Sequence, residues 1–283
     1  MADDRLKAGL IGEHIGRSRF AAAQELLCGQ AGMTLDFTAF DTADQENFDF
    51  ESLVASLPQK GFDGVTVTHP YKTRAHALAQ ETHYPASLGA SNLLRFEPGG
   101  IHAFNTDYTG FKSAWAAQFG ETAPGRVAMA GAGGVSRALI ASLLDLGADR
   151  IDLWDLDPEL SGTVARLTDA SGQRVHAIEA TDDIYAAVRA ADGLLNATPM
   201  GMDHYPGMAF DAALIGGQRW AFDAVYAPID TAFMQAAHGA GLMTMSGFDL
   251  FRHMAVLSFA VYTGRLNDIP IAVEALRPLA EGL

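Results

Sequence analysis

The sequence predicts an α/β protein of two domains with largely parallel sheets. Short β-like runs alternate with longer helical patterns along most of the chain, as in βαβ units. A glycine-rich turn at residues 131–134 joins one such run to a helical pattern. The 283 residues, 49% of them hydrophobic, also exceed the usual size of a single core.

In the first part, residues 7–12 read as a strand, 20–32 as a helix and 34–40 as a strand. A helix at 50–57 and a strand at 64–68 follow, and His69-Pro70 turns the chain into a helix at 72–80. A helix-like stretch at 110–119 leads through a Gly- and polar-rich segment, and the domain junction is expected within residues 110–125. The second series has strands at 126–130, 151–155, 175–178, 193–196, 220–225 and 242–245. Helices are expected at 135–146 and 253–263. These readings divide the chain into 1–110 with 247–283, and 111–246.

Nineteen Lys and Arg against 34 Asp and Glu give a formal charge of −15. Such a surface repels nucleic acid and anionic lipid, so neither is expected as a partner. A small molecule held by a local patch of opposite charge is expected instead. Cys28 is the sole cysteine, which excludes an internal disulfide and a thiolate cluster and fits a reducing cytoplasm. Residues 1–7 are charged with no long apolar run behind them, unlike a signal peptide. No run approaches the ~20 apolar residues of a membrane span. The nine histidines show no His-Glu-x-x-His pattern, and no metal is expected.

Residues 126–137 have the order of a Rossmann unit: strand, glycine loop, helix. Gly131 permits the tight turn, Ala132 follows it, and Gly133 and Gly134 let the backbone approach a pyrophosphate. The helix opening at Val135 would aim its amides at the phosphates. Asp155 ends the next strand about 20 residues on, where a carboxylate accepts ribose hydroxyls and repels a 2′-phosphate; Leu156 and Asp157 add no cation. NAD is therefore expected over NADP. The competing reading is an ordinary glycine turn and an acidic turn before Pro158.

Further motifs stand in order. They are Gly12 to Ser18, Val67-Thr68-His69-Pro70-Tyr71-Lys72, Gly89-Ala90-Ser91-Asn92 and Asn105-Thr106-Asp107 with Gly110. Then come the glycine loop, Asn196-Ala197-Thr198-Pro199-Met200-Gly201, Asp223-Ala224-Val225-Tyr226 and Gly247. On these residues the chain resembles the shikimate/quinate dehydrogenase family over nearly its whole length. Thr-His-Pro-Tyr-Lys and Asp-Leu-Asp at 155–157 resemble the NAD-using branch.

The resemblance implies an N-terminal α/β substrate (catalytic) domain, a C-terminal Rossmann dinucleotide-binding domain, and last helices returning to the first. It implies an active site between the domains and hydride transfer between NAD and a ring hydroxyl. Lys72 matches the family's proton-transfer lysine and Asp107 its partner; the reverse assignment stays open because coupled groups share a proton. Withdrawal from water makes an ammonium a readier proton donor. Ser18, Thr68, Asn92 and Tyr226 match substrate-binding positions. Thr198, Met200, Ala224, Val225 and Gly247 match positions beside the dinucleotide. Read alone, each of these residues fits a turn, a cap or a core position equally well.

Three substrate-side positions depart from the family: Phe20 replaces a serine, Thr66 an asparagine and Met254 a glutamine. Polar partners are lost, and a polyhydroxy carboxylate is held less well. Arg17 or Arg19 offers a guanidinium clamp in their place, or is simply solvated. The expectation is retained hydride chemistry on a drifted substrate, either a less polar or differently substituted cyclic hydroxy acid or a cyclic polyol. A non-catalytic NAD-binding sensor is the alternative from another class, and a homodimer is an open question.

Overall fold

The computed structural model describes residues 4–265 and 268–283. Residues 1–3 of the charged N-terminal stretch and 266–267 of the expected returning segment lie outside them. The chain divides into two compact units, Met1–Gly110 with Arg252–Glu281, and Phe111–Phe251 with Gly282–Leu283. The second division thus falls at 251/252, where the motif reading placed it at 246/247.

The first unit opens with β1 (Arg5–Gly12), α1 (Phe20–Gln30), β2 (Thr34–Asp41), α2 (Phe50–Ser56), β3 (Gly64–Val67) and α3 (Lys72–Ala77). Next come β4 (Glu81–Thr82), β5 (Leu93–Glu97), β6 (Gly100–Phe104) and α4 (Thr106–Phe119), which runs on into the second unit. The sheet order is β2-β1-β3-β5-β6-β4. β1 pairs in parallel with β2 and β3, but β5 is antiparallel to both β3 and β6, so this sheet is mixed. The β5–β6 hairpin turns at Pro98-Gly99, a turn signal that the periodicity reading passed over. Ile11, Phe50, Val54, Leu57, Val65, Val67 and Tyr71 form a core.

The second unit contains β7 (Arg126–Ala130), α5 (Ser136–Asp145), β8 (Arg150–Trp154), α6 (Pro158–Thr168), β9 (Val175–Ala177) and α7 (Thr181–Ala190). It continues through β10 (Gly193–Asn196), β11 (Trp220–Asp223), α8 (Ala232–Gly239), β12 (Met243–Ser246) and the start of α9 (Gly247–Thr263). The rest of α9 and α10 (Ile269–Ala275) belong to the first unit. All pairings in the order β12-β11-β10-β7-β8-β9 are parallel. Val127 and Met129 of β7 enter one core cluster, whereas Ala128 and Ala130 enter another. The sheet is therefore covered on both faces, as parallel sheets require.

Helices α6, α7, α8 and α10 are absent from the periodicity reading. For α6 the signal was present: Asp157 caps it by accepting from the amides of Glu159 and Leu160, and Pro158 takes its first turn. α4 begins at Thr106 instead of residue 110, and α9 at Gly247 instead of 253.

Candidate functional site

In each unit the order of parallel strands reverses around one strand, β1 in the first and β7 in the second. Ligands settle beyond the C-terminal ends of strands at such switch points.

At the first switch point, a Cβ on Gly12 would lie 2.3 Å from Thr68 Cγ2, so only glycine lets β1 end beside that residue. The Glu13 amide donates to the His69 carbonyl at 3.0 Å, and Asp41 accepts from the amides of His14 and Ile15, each at 3.0 Å. Together with the Ala43 amide, these bonds hold the Asp41 carboxyl below the usual carboxylate range. The loop carrying Ser18 is thus tied to the turn that carries Lys72. The Ser18 hydroxyl accepts from the Phe20 amide at 3.2 Å, and the Thr68 hydroxyl has no partner among the described residues.

Lys72 opens α3, and its ammonium donates to Asp107 Oδ2 at 2.6 Å. Both side chains are largely buried. Asp107 stands in the first turn of α4, where a carboxylate is favoured by the helix dipole. Asn105 caps that turn, accepting from the Tyr108 amide at 3.0 Å while its Nδ2 donates to the Ala90 carbonyl at 2.9 Å. Asn92 accepts from the Thr106 amide at 2.7 Å and donates to Thr106 Oγ1 at 3.0 Å. Ser258 spends its proton on the Met254 carbonyl at 2.8 Å, so it accepts from Thr106 Oγ1 at 3.0 Å. A directed relay therefore runs from Asn92 through Thr106 and Ser258 to Met254.

Replacing Asn105 with alanine is expected to cost about 1–2 kcal/mol of unfolding free energy, measured in urea. It should also loosen the contact between Lys72 and Asp107, read as a shifted Asp107 carboxyl resonance. Unchanged values would show that the cap does not position Asp107.

Two of the departing positions face inward. Phe20 is buried against Phe37, with ring centroids 6.2 Å apart. The buried Thr66 hydroxyl meets the Tyr262 hydroxyl at 2.5 Å, and burial pushes the Tyr262 phenol well above its ordinary value. Met254 presses its backbone on Gly110, where a Cβ would come within 3.0 Å. Arg19 donates to the Glu281 carbonyl at 3.1 Å, whereas Arg17 is exposed and has no ion-pair partner among the described residues.

In the second unit, Gly131 has φ +98°, and a Cβ there would lie 2.7 Å from the Ala197 backbone. Gly133 and Gly134 face open space. Among the described residues nothing accepts from the amides of Gly133, Gly134 and Val135 at the N-terminus of α5. Open space over unpartnered amides fits a pyrophosphate. Asp155 accepts from the Ala132 amide at 2.7 Å and the Asp157 amide at 3.0 Å, which leaves lone pairs for ribose hydroxyls. Leu156 is 104% exposed and carries no packing role.

Asn196 shapes the neighbouring loop. Its Oδ1 accepts from the Thr198 amide and hydroxyl, and its Nδ2 donates to the Met200 carbonyl and Asp223 Oδ1. Asp223 also accepts from the Val225 amide and the Thr231 hydroxyl; burial holds its carboxyl above the ordinary value against these bonds. The Ala224 amide donates to the Asn196 carbonyl, and a Cβ on Gly247 would lie 2.5 Å from the Ala224 oxygen. The cofactor positions read from the sequence are thus gathered around one strand-end rim. Tyr226 lies farther along, stacked on Phe251 at 5.7 Å.

The model of the shikimate dehydrogenase substrate binding domain matches residues 10–94. A quinate/shikimate dehydrogenase (NAD(+)) of Corynebacterium efficiens is 34% identical, over 95% of this chain and 96% of that protein. The chain belongs to the shikimate/quinate dehydrogenase family. A shikimate dehydrogenase (NADP(+)) of Streptomyces avermitilis is 33% identical over 95% of this chain and 94% of that protein. Quinate dehydrogenase from Corynebacterium glutamicum, solved in complex with NAD, superimposes with a TM-score of 0.89 at 30% identity, covering 97% of this chain and 99% of that one. Family members with either nicotinamide cofactor are thus similar to this chain. The α/β architecture read from the sequence is the family's. Sequence reasoning missed Asn105 as a cap, and also Thr106, Ser258 and Tyr262. Of these, Asn105 three residues before Tyr108 carried a local signal.

Proposed function

We propose that this family member is a NAD-dependent dehydrogenase that oxidises a ring carbinol of a shikimate- or quinate-type cyclic hydroxy acid. The residues 1–110 and 252–281 bind the substrate, and residues 111–251 bind the dinucleotide. The observation that carries this reading is the Lys72–Asp107 contact at 2.6 Å, held in place by a capped helix start.

Carbinol oxidation needs the hydroxyl proton removed as the hydride leaves carbon. As the hydride leaves, the Lys72 amine takes the hydroxyl proton, Asp107 accepts the hydrogen bond of the ammonium so formed, and that ammonium then releases the proton to solvent. When bound, NAD supplies the hydride acceptor. Gly133, Gly134 and Val135 hold its pyrophosphate through their amides, and Asp155 holds its ribose. Thr68 and Asn92 bind substrate hydroxyls, and Ser18 contacts the carboxylate. Arg17 takes over the carboxylate contact that the buried Phe20 does not supply.

The test follows NADH formation with quinate, shikimate and a cyclic polyol. A cyclic hydroxy acid is expected to be turned over, with kcat/KM for NAD at least ~100 times that for NADP because Asp155 repels a 2′-phosphate. Asp155→Ser should narrow that ratio at least ~10-fold. Turnover of the polyol alone would overturn the substrate assignment, and preference for NADP the cofactor assignment. Efficient oxidation of shikimate at micromolar concentration would remove the altered carboxylate contact.

A further inference from the structure

Away from these groups, three side chains with metal-binding atoms converge on the first unit. β4 pairs in parallel with β6, Glu81 opposite His102. The His83 amide continues the ladder by donating to the Ala103 carbonyl at 2.9 Å. Side chains alternate across a sheet, so Glu81 and His83 share a face with His102 and Phe104.

His83 Nε2 lies 3.1 Å from His102 Nδ1 and 3.6 Å from Glu81 Oε1. His102 Nδ1 lies 3.8 Å from Glu81 Oε2. Four ligands at zinc-bond lengths in a tetrahedron stand about 3.3–3.4 Å from one another; with one donor atom taken from each side chain, the three lie within 4.8 Å of one another, close enough for small side-chain rotations to reach that spacing. The His83 ring is stacked on Phe104 at 4.4 Å and on His102 at 5.3 Å, which fixes its nitrogens toward the other donors. Without an ion, one imidazole must donate to the other, and the Glu81 carboxylate stays outside hydrogen-bonding distance of both.

We propose that Glu81, His83 and His102 form a divalent-metal site with the chemistry of zinc, in which two imidazoles and one carboxylate are completed by water. All three side chains are reached by solvent, so the ion enters directly. The ion would clip the two-residue strand β4 to β6 and so stabilise that end of the sheet.

The test uses the untagged full chain, stripped with a chelator and titrated with zinc chloride against a chromophoric chelator. One equivalent is expected to bind, and cobalt(II) in its place should give the intense visible band of tetrahedral coordination. His83→Ala and His102→Ala should each weaken binding at least ~10-fold. Zinc at ~100 times its Kd should raise the thermal midpoint of the native chain by about 5 °C and leave the His83→Ala/His102→Ala double variant unchanged. NAD-linked activity should be equal in native and double-variant protein, which separates this site from the proposed reaction. No saturable zinc binding by the native chain, or equal binding by the double variant, overturns the proposal.

Discussion

Replacing Lys72 with methionine is expected to lower kcat by about 10²–10⁴ while the Kd for NAD stays unchanged. Methionine keeps most of the apolar stem but supplies neither charge nor proton, so Asp107 loses its 2.6 Å partner. A part-buried carboxylate left alone also costs stability, about 1–3 kcal/mol. The measurement is initial rates of NADH formation beside NAD binding by calorimetry. Turnover within about twofold of the native chain would remove Lys72 from the chemistry. Native and variant proteins that both bind NAD and oxidise nothing would favour a sensor.

Gly131→Ala and Gly133→Ala are expected to fail in different ways. At Gly131 the backbone has φ +98°, and the new methyl would lie 2.7 Å from Ala197 C and 2.8 Å from Thr198 Cγ2. Backbone conformation and overpacking together should cost about 2–6 kcal/mol, and NAD affinity should fall with the distorted loop. At Gly133 nothing stands within 4 Å, so stability should change by less than about 0.5 kcal/mol. NAD affinity should still fall at least ~10-fold, because the methyl would enter the open space proposed for the pyrophosphate. Thermal unfolding and NAD titration of both variants check this. Native affinity in Gly133→Ala would place the phosphates elsewhere.

The glycine loop was legible in the sequence because its meaning is local: a strand, a positive-φ turn and a helix start within twelve residues. The position of Asp155 just past β8, beside that loop, was legible for the same reason. Lys72 and Asp107, 35 residues apart, were visible only through family resemblance, since nothing in their own neighbourhoods sets them apart. The groups that hold them were not legible. Thr106 meets Ser258 across 152 residues, and Thr66 meets Tyr262 across 196. Single-sequence periodicity has no access to such separations. The Glu81, His83 and His102 cluster escaped because it depends on a two-residue strand paired with an unread hairpin.

The relay from Asn92 through Thr106 to Ser258 also bears on synthesis. Asn92, Thr106, Lys72 and Asp107 emerge from the ribosome long before Ser258 and the Met254 carbonyl that orients it. A nascent chain short of residue 258 therefore carries Lys72 and Asp107 without this brace. The brace on Asn92 and Thr106 thus forms only after residues 254–258 have been made and have folded back within the first unit.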